Sequence, residues 1–237
     1  MPVSETSYLD RLGRGRTMQA AIAGFSPAFA PADTSLLPAA FATFLDSLDT
    51  LNTTTVTLVD QYLAAADGRK TTVKNLYDRA GRILAYVASN TNWAKQVRSV
   101  KTIVDKIRGN EPRPPKPPTG AETPDQNKQR SSGERSYAEM EGHLNRLIPA
   151  LEAIAGYAPP AIELTLVHLE GLASSLHTQN LNVANLERQT AAQQAERSET
   201  YNGDAGLREK MKAIKAAARA QYGSSSSEYE SVKSIAL

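Results

Sequence analysis

Residues 37–66 read LPAAFATFLDSLDTLNTTTVTLVDQYLAAA, and this stretch decides the fold class. The apolar and small side chains that recur every three or four residues are Leu37, Phe41, Phe44, Leu48, Leu51, Thr55, Leu58, Tyr62 and Ala66. This spacing places them on one face of a helix, whereas a strand would need alternation with a period of two. The stretch therefore predicts a long helix that packs along one stripe, which we call the first seam. Asp33, Thr34 and Ser35 predict the beginning of that helix.

Further helices are predicted on both sides of a proline-rich stretch. A second helix is expected over 80–107, with a break near 89–92, where four small polar residues cluster. A third helix is expected from Ser136, kinked or divided at Pro149. The next helix repeats apolar residues every seven positions, and this second seam consists of Ile162, Leu169, Leu176 and Val183. After a turn at 202–206, a final helix begins at Leu207, and the serines at 224–227 are expected to cap a last short turn.

The stretch between these groups of helices, residues 109–133, reads GNEPRPPKPPTGAETPDQNKQRSSG and has six prolines in 25 residues. Proline lacks an amide hydrogen, so this composition predicts an extended and flexible linker rather than a packed element. We therefore predict an N-terminal arm at 1–34, a first helical half at 35–108, a Pro-rich polar linker at 109–133 and a second helical half at 134–237.

The two halves end in similar ways. Residues 83–103 read ILAYVASNTNWAKQVRSVKTI, and residues 214–235 read IKAAARAQYGSSSSEYESVKSI, so both end in Ser-Val-Lys-x-Ile. Each long helix also has an asparagine near its middle, Asn52 or Asn180, and an arginine further along, Arg69 or Arg197. These matches favour a diverged internal duplication. The expected fold is all-α, with two similar antiparallel helical bundles that contain long helices and are joined by the linker.

The C-terminal stretch 215–233, KAAARAQYGSSSSEYESVK, is similar to the ending of a group of uncharacterised bacterial proteins. These proteins resemble paired helical bundles and carry a YG…S.EY..V signature after a long helical hairpin. The resemblance covers the second half well and the first half weakly. It implies an all-helical duplicated scaffold, and it implies no activity or catalytic residues because none is assigned to the group.

Composition excludes several kinds of site. The 237 residues include no cysteine, which removes disulfides, thiolate metal sites and cysteine nucleophiles. His143, His168 and His177 are the three histidines, and their spacing fits no metal-ligand motif. The serines at 224–227 lack a Gly-x-Ser-x-Gly elbow. We therefore expect no enzyme activity, no metal and no cofactor. An enzyme whose site is assembled from scattered carboxylates is a distant alternative.

The net charge of +2 hides a strong asymmetry. Residues 95–116 hold seven basic and two acidic side chains, a net charge of +5, whereas residues 134–209 hold five basic and eleven acidic ones, a net charge of −6. The basic stripe consists of Lys95, Arg98, Lys101, Lys106, Arg108, Arg113 and Lys116. It is interpreted as a solvated helix face, as a phosphate-binding surface, or as a surface that meets the acidic half of another copy.

Asn52 and Asn180 are candidates for setting helix register. An asparagine within an apolar helical seam can specify register or partner choice at some cost in stability. The alternative is that both asparagines lie on the exposed flanks of their helices.

These observations lead to one main functional hypothesis. We predict a non-catalytic structural or interaction protein that self-associates through helical seams and complementary charge blocks. The alternative is an adaptor for nucleic acid or another polyanion that uses residues 95–116; a different protein is a further candidate partner. No stretch is apolar enough to predict a membrane span. We expect a cytoplasmic protein, with secretion through an atypical N-terminal signal as the alternative.

Overall fold

The computed structural model describes residues 5–109 and 136–237, and over these ranges it contains helices and no strand. The α-helices are α1 (Glu5–Ala23), α2 (Pro38–Ala88), α3 (Ala94–Arg108), α4 (Tyr137–Glu152), α5 (Leu166–Asn202), α6 (Leu207–Tyr222) and α7 (Ser227–Lys233). Short 3-10 helices lie at Thr34–Leu36, Thr91–Trp93 and Ile162–Leu164. The predicted all-α class with long helices is confirmed. Apart from Gly109, the predicted linker at 109–133 lies outside the described residues.

The helix α2 carries the first seam and is longer than predicted, with 51 residues. At its entrance, the Asp33 carboxylate accepts a hydrogen bond from the Ser35 amide at 2.9 Å, which caps the preceding 3-10 turn. Phe41 and Leu48 of the seam are fully buried. Residues 80–88, which were predicted to begin a second helix, belong to the end of α2.

The predicted break near 89–92 is confirmed. The Asn90 side chain accepts a hydrogen bond from the Asn92 amide at 3.0 Å and caps the 3-10 turn that precedes α3. This local bond competes with continuation of the helix. At its other end, α3 stops at Gly109, whose φ of 67° is left-handed and suits glycine.

The helix α1 lies inside the predicted N-terminal arm, and sequence reasoning missed it. Tyr8, Leu12, Met18 and Ile22 are buried at helical spacing, but three arginines and two glycines among them obscure the pattern. A Cβ at Gly15 would lie 2.7 Å from Leu45 Cδ2, so the glycine permits close packing of α1 against α2.

The helix α4 begins at the predicted place. The Ser136 hydroxyl accepts a hydrogen bond from the Glu139 amide at 3.1 Å, and the Glu139 carboxylate accepts one from the Ser136 amide at 2.7 Å. This reciprocal pair is a capping box. The predicted division at Pro149 does not occur, because Pro149 lies in the last turn and the helix continues to Glu152.

The short helix α7 confirms the predicted role of the serine run. The Ser226 hydroxyl accepts a hydrogen bond from the Tyr229 amide at 3.1 Å and caps α7. Val232, which belongs to the Ser-Val-Lys-x-Ile ending, is fully buried. Across the described ranges, no helix is both long enough and apolar enough to cross a membrane.

The first compact unit consists of Met1–Tyr62 and Leu186–Leu237. Its core combines α1 and the beginning of α2 with the end of α5, α6 and α7. The largest fully buried side chains include those of Met18, Phe41, Leu48 and Tyr201. This unit therefore takes residues from both sides of the segment at 110–135.

The second compact unit consists of Leu63–Asn185. Its core combines the end of α2 and α3 with α4 and the beginning of α5, and it includes Leu76, Val104, Leu147 and Leu176. The predicted halves at 35–108 and 134–237 follow chain order, whereas each compact unit draws on both of them. The continuous helices α2 and α5 each supply residues to both units.

Candidate interaction surface

The described part of the basic stripe lies on α3, and we call it the basic α3 surface: Lys95, Arg98, Lys101, Lys106 and Arg108. The opposite face of α3 buries Val100, Val104 and Ile107 in the core. Because the apolar face is held inward, the five basic residues occupy the solvent half of the helix, and all are exposed except Lys106, which is half-buried. Arg113 and Lys116 lie outside the described residues.

The basic side chains of α3 have different surroundings. Lys101 Nζ donates to the Asp105 carboxylate one turn later. The Arg108 guanidinium lies over α2 at Gly81, where an added Cβ would come within 3.3 Å of the nearest guanidinium nitrogen. Gly81 therefore gives Arg108 room to rest on the neighbouring helix.

The end of α2, which lies in the same unit as α3, also carries basic residues that the stretch 95–116 does not include. Residues 63–108 hold ten basic and three acidic side chains, a net charge of +7. Of the five basic residues on α2, Lys70, Lys74 and Arg82 are exposed. Lys70, Lys74, Asp78 and Arg82 follow one another at intervals of four residues, which places them on one face of a helix. This interval is the sequence signal that indicates the face.

The other chain segment of the same unit has the opposite charge. Residues 136–185 hold one basic and five acidic side chains, a net charge of −4. The two segments meet at an ion pair between Arg82 and Glu163, whose nitrogen and oxygen lie 2.7 Å apart. The local hydrogen bonds of Glu163 and its pairing with Arg82 hold the pKa of this carboxyl below its usual value.

The acidic surface centres on Glu141 of α4. Its two carboxylate oxygens contact His177 Nδ1 and Asn180 Nδ2, both at 2.8 Å. Burial opposes ionisation of Glu141, but the hydrogen bonds from Asn180 and His177 outweigh it and lower the pKa of the carboxyl. Glu141, Glu170 and His177 line an open groove of about 520 Å³.

The two register candidates lie in different surroundings. Asn52 is buried, and its Nδ2 donates to the hydroxyl of fully buried Tyr201 at 2.8 Å. Asn180 is half-buried and donates to the Tyr137 carbonyl at 3.2 Å as well as to Glu141. The alternative that both asparagines lie on exposed flanks is wrong. A role in setting register stays a prediction.

Sequence reasoning noted Arg69 and Arg197 but missed what they contact. The Arg197 guanidinium carbon lies 4.3 Å from the ring centroid of Tyr8, and that of Arg69 lies 3.8 Å from the ring centroid of Tyr137. Each tyrosine follows a serine near the start of a helix, Tyr8 in α1 and Tyr137 in α4, and this shared Ser-Tyr pair is the sequence signal that relates the two contacts. These contacts are cation–π interactions between the halves.

The histidines do not form a metal centre. His168 Nδ1 lies 3.0 Å from the Thr165 hydroxyl, and His143 is buried in α4. Among residues 5–109 and 136–237, no group of three histidine or acidic side chains is arranged to hold a metal ion.

Comparisons with protein families, curated proteins and solved structures found no match to this chain. The similarity of residues 215–233 to uncharacterised bacterial proteins stays a prediction. The case for a function therefore depends on the charged surfaces and on how the two halves of the chain pack together.

Proposed function

We propose that this chain is a non-catalytic interaction protein whose main partner is a second copy of itself. The observation that supports this proposal is the opposite charge of the two segments in the second unit, +7 for residues 63–108 and −4 for residues 136–185. Complementary charge directs the orientation of partners and speeds their encounter. A second copy presents an acidic segment that the basic α3 surface of the first copy can bind.

The geometry favours charged surfaces over the helical seams as the contact between folded copies. Phe41 and Leu48 of the first seam and Leu169 and Leu176 of the second are fully buried within the units of a single chain. By contrast, Lys95, Arg98 and Arg108 are exposed. Binding through the basic α3 surface of one copy and an acidic surface of the next is head-to-tail, so it produces either a ring or an open chain of copies.

The two halves are proposed to be diverged copies of one ancestral unit. Positions 128 residues apart support this: the 3-10 turns Thr34–Leu36 and Ile162–Leu164 match, as do the first residues of α2 and α5. Asn52 and Asn180 have the same separation. Each bundle of the proposed duplicate then combines parts of both copies.

Light scattering tests self-association. At low salt, the folded chain should form particles larger than 25.6 kDa whose mass increases with concentration. Replacing Lys95, Arg98 and Arg108 by glutamate should return the mass to that of a monomer. The matched control replaces exposed Arg14, Arg208 and Arg219 by glutamate, which changes the net charge equally. A wild-type chain that stays monomeric at all concentrations contradicts the proposal.

A polyanion-binding adaptor is the second candidate function. It is supported by the net charge of +7 over residues 63–108, where exposed Lys70 and Lys74 of α2 add to the basic residues of α3. Phosphate backbones bind such surfaces by releasing counterions, and the affinity falls steeply with salt. This candidate predicts salt-sensitive retention on heparin that is lost in the α3 triple variant and kept in the control variant. Equal retention of both variants contradicts it.

A further inference from the structure

We infer that copies of this chain associate by exchanging halves: residues before 110 of one copy fill both units together with residues after 135 of the other. This inference rests on the proposed self-association and adds a second mode for it, in which two copies share the contacts between halves. The two proposals remain separable, because charged faces bind folded copies whereas exchange replaces contacts inside the fold.

The first unit is held together by contacts between the two halves of the chain. Asn52 Nδ2 donates to Tyr201 Oη at 2.8 Å, and Arg11 donates to the Tyr201 carbonyl oxygen at 3.0 Å. Both polar atoms of the Gln221 side-chain amide bind the loop before α2. The nitrogen donates to the Ala28 carbonyl at 2.8 Å, and the oxygen accepts from the Ala30 amide at 2.9 Å. Each of these contacts joins a residue before 110 to one after 135.

The second unit has the same construction. Arg82 pairs with Glu163, and the Tyr86 hydroxyl donates to the Ala158 carbonyl oxygen at 2.9 Å. The core itself is shared. Its fully buried members before residue 110 are Leu76, Ala80, Ile83, Val87, Val100 and Val104; those after 135 are Met140, Leu144, Leu147, Leu151, Leu169 and Leu176. Separating the halves would expose apolar surface in both units.

The halves are covalently joined through residues 110–135. A second copy can supply the same half with the same contacts, so an exchanged dimer keeps every interaction between halves. The difference is that the two halves that pack together then belong to different chains. A tether that is short and flexible gives an effective concentration on the order of millimolar for the groups that it joins. Exchange should therefore increase when the chain refolds at protein concentrations that approach this value.

The experiment uses two full-length single-cysteine variants, Arg82→Cys and Glu163→Cys. The chain has no other cysteine, so a short bis-maleimide reagent reports only the engineered positions. The variants are unfolded, mixed, refolded at high concentration and treated with the reagent. An intrachain double variant, Arg82→Cys with Glu163→Cys, shows that the reagent spans this pair. The mixture of Ser99→Cys with Glu163→Cys is the matched control, because Ser99 lies on the exposed face of α3.

The expected result is a cross-linked species of two chains in the mixture of Arg82→Cys and Glu163→Cys, several-fold more abundant than in the control mixture. Its amount should increase with the refolding concentration and be unchanged when the refolded sample is brought to high salt before reaction. Cross-linking in the double variant alone, with none between chains above the control, overturns the inference. If light scattering still shows association at low salt in that case, the proposed self-association stands and exchange is excluded as its mode.

Discussion

Tyr201 in the first unit and Val73 in the second are 128 positions apart in the chain, and each lies in the core of its unit. Tyr201 is fully buried, and its ring meets the ring of Tyr8 edge-on with centroids 4.8 Å apart. Its hydroxyl accepts the hydrogen bond from Asn52. Val73 has no polar atom in its side chain and joins a cluster of aliphatic residues. The core of the first unit therefore includes a buried polar contact at Tyr201, whereas Val73 in the second unit contributes apolar packing alone.

This difference indicates that different interactions specify the packing in the two units. A buried hydrogen bond needs one particular partner in one geometry, whereas aliphatic residues accept many neighbours of similar volume. We therefore expect the hydrogen bond between Asn52 and Tyr201 to favour one register of α2 against the end of α5. In the second unit, Asn180 bonds to Tyr137 and Glu141 of its own half. The halves of that unit are joined by apolar burial and by contacts nearer the surface, which are the ion pair of Arg82 with Glu163, the hydrogen bond from Tyr86 to Ala158 and the contact of Arg69 with Tyr137.

The largest expected effect comes from truncating Tyr201. Tyr201→Ala removes a fully buried ring and leaves Asn52 without its hydrogen-bond acceptor, so the free energy of unfolding should fall by about 3–5 kcal/mol. Val73→Ala removes two buried carbon groups and should cost about 1.5 kcal/mol. Urea unfolding followed by circular dichroism measures both. Equal losses in the two variants would contradict the contrast between the units.

A smaller effect is expected from the asparagines. Asn52→Ala leaves the buried Tyr201 hydroxyl without its donor and should cost about 1–3 kcal/mol. Asn180→Ala should cost under about 1 kcal/mol, because water can reach the half-buried groups that it leaves. Combining Asn52→Ala with Tyr201→Phe tests the bond itself, since the double variant should lose less than the sum of the single losses. Strict additivity would show that the bond contributes nothing.

Local signals in the sequence were enough to predict several elements. Ser136, the polar residues at 89–92 and the serine run before α7 each act within one turn of chain, so their roles do not depend on distant residues. The seams likewise predict the buried faces of α2 and α5, except that Ile162 of the second seam lies in the 3-10 turn before α5 and is 65% exposed. By contrast, α1 was missed because its glycine at 15 matters only through its contact with Leu45, which is far along the chain.

The crossed arrangement of the halves could not be predicted from the seams. A heptad pattern shows that a face is buried but does not identify the helix that covers it. The same limit applies to the candidate surface. Counting charges along 95–116 found the basic residues of α3 but not the contribution of Lys70 and Lys74, because the turn at 89–93 is what brings that part of α2 into the same unit.

A further expected effect is a loss of stability at alkaline pH, and it compares the half-buried Tyr157 of the second unit with the fully buried Tyr201 of the first. In the second unit, burial, with a smaller contribution from Tyr86, raises the pKa of Tyr157 from 10.0 to about 12. In the first unit, burial outweighs the bond from Asn52 and the nearby arginines and raises the pKa of Tyr201. In both cases the tyrosine hydroxyl loses its proton at a lower pH in the unfolded chain than in the folded one. The contribution of the protonated hydroxyl to stability is therefore fully present below pH 10 and is lost as the pH rises through the pKa of the folded state.

For Tyr157 the loss should reach about 1 kcal/mol at pH 11. Urea midpoints measured from pH 8 to pH 11 should therefore fall, and Tyr157→Phe should flatten part of that fall because phenylalanine has no proton to lose. The fall of the urea midpoint that remains in Tyr157→Phe should be reduced further when Tyr201→Phe is added, because this change removes the Tyr201 hydroxyl as well. If Tyr157→Phe follows the wild-type curve with an unchanged slope, the Tyr157 hydroxyl is not protected from ionisation, and the alkaline sensitivity belongs to the polar network of the first unit alone.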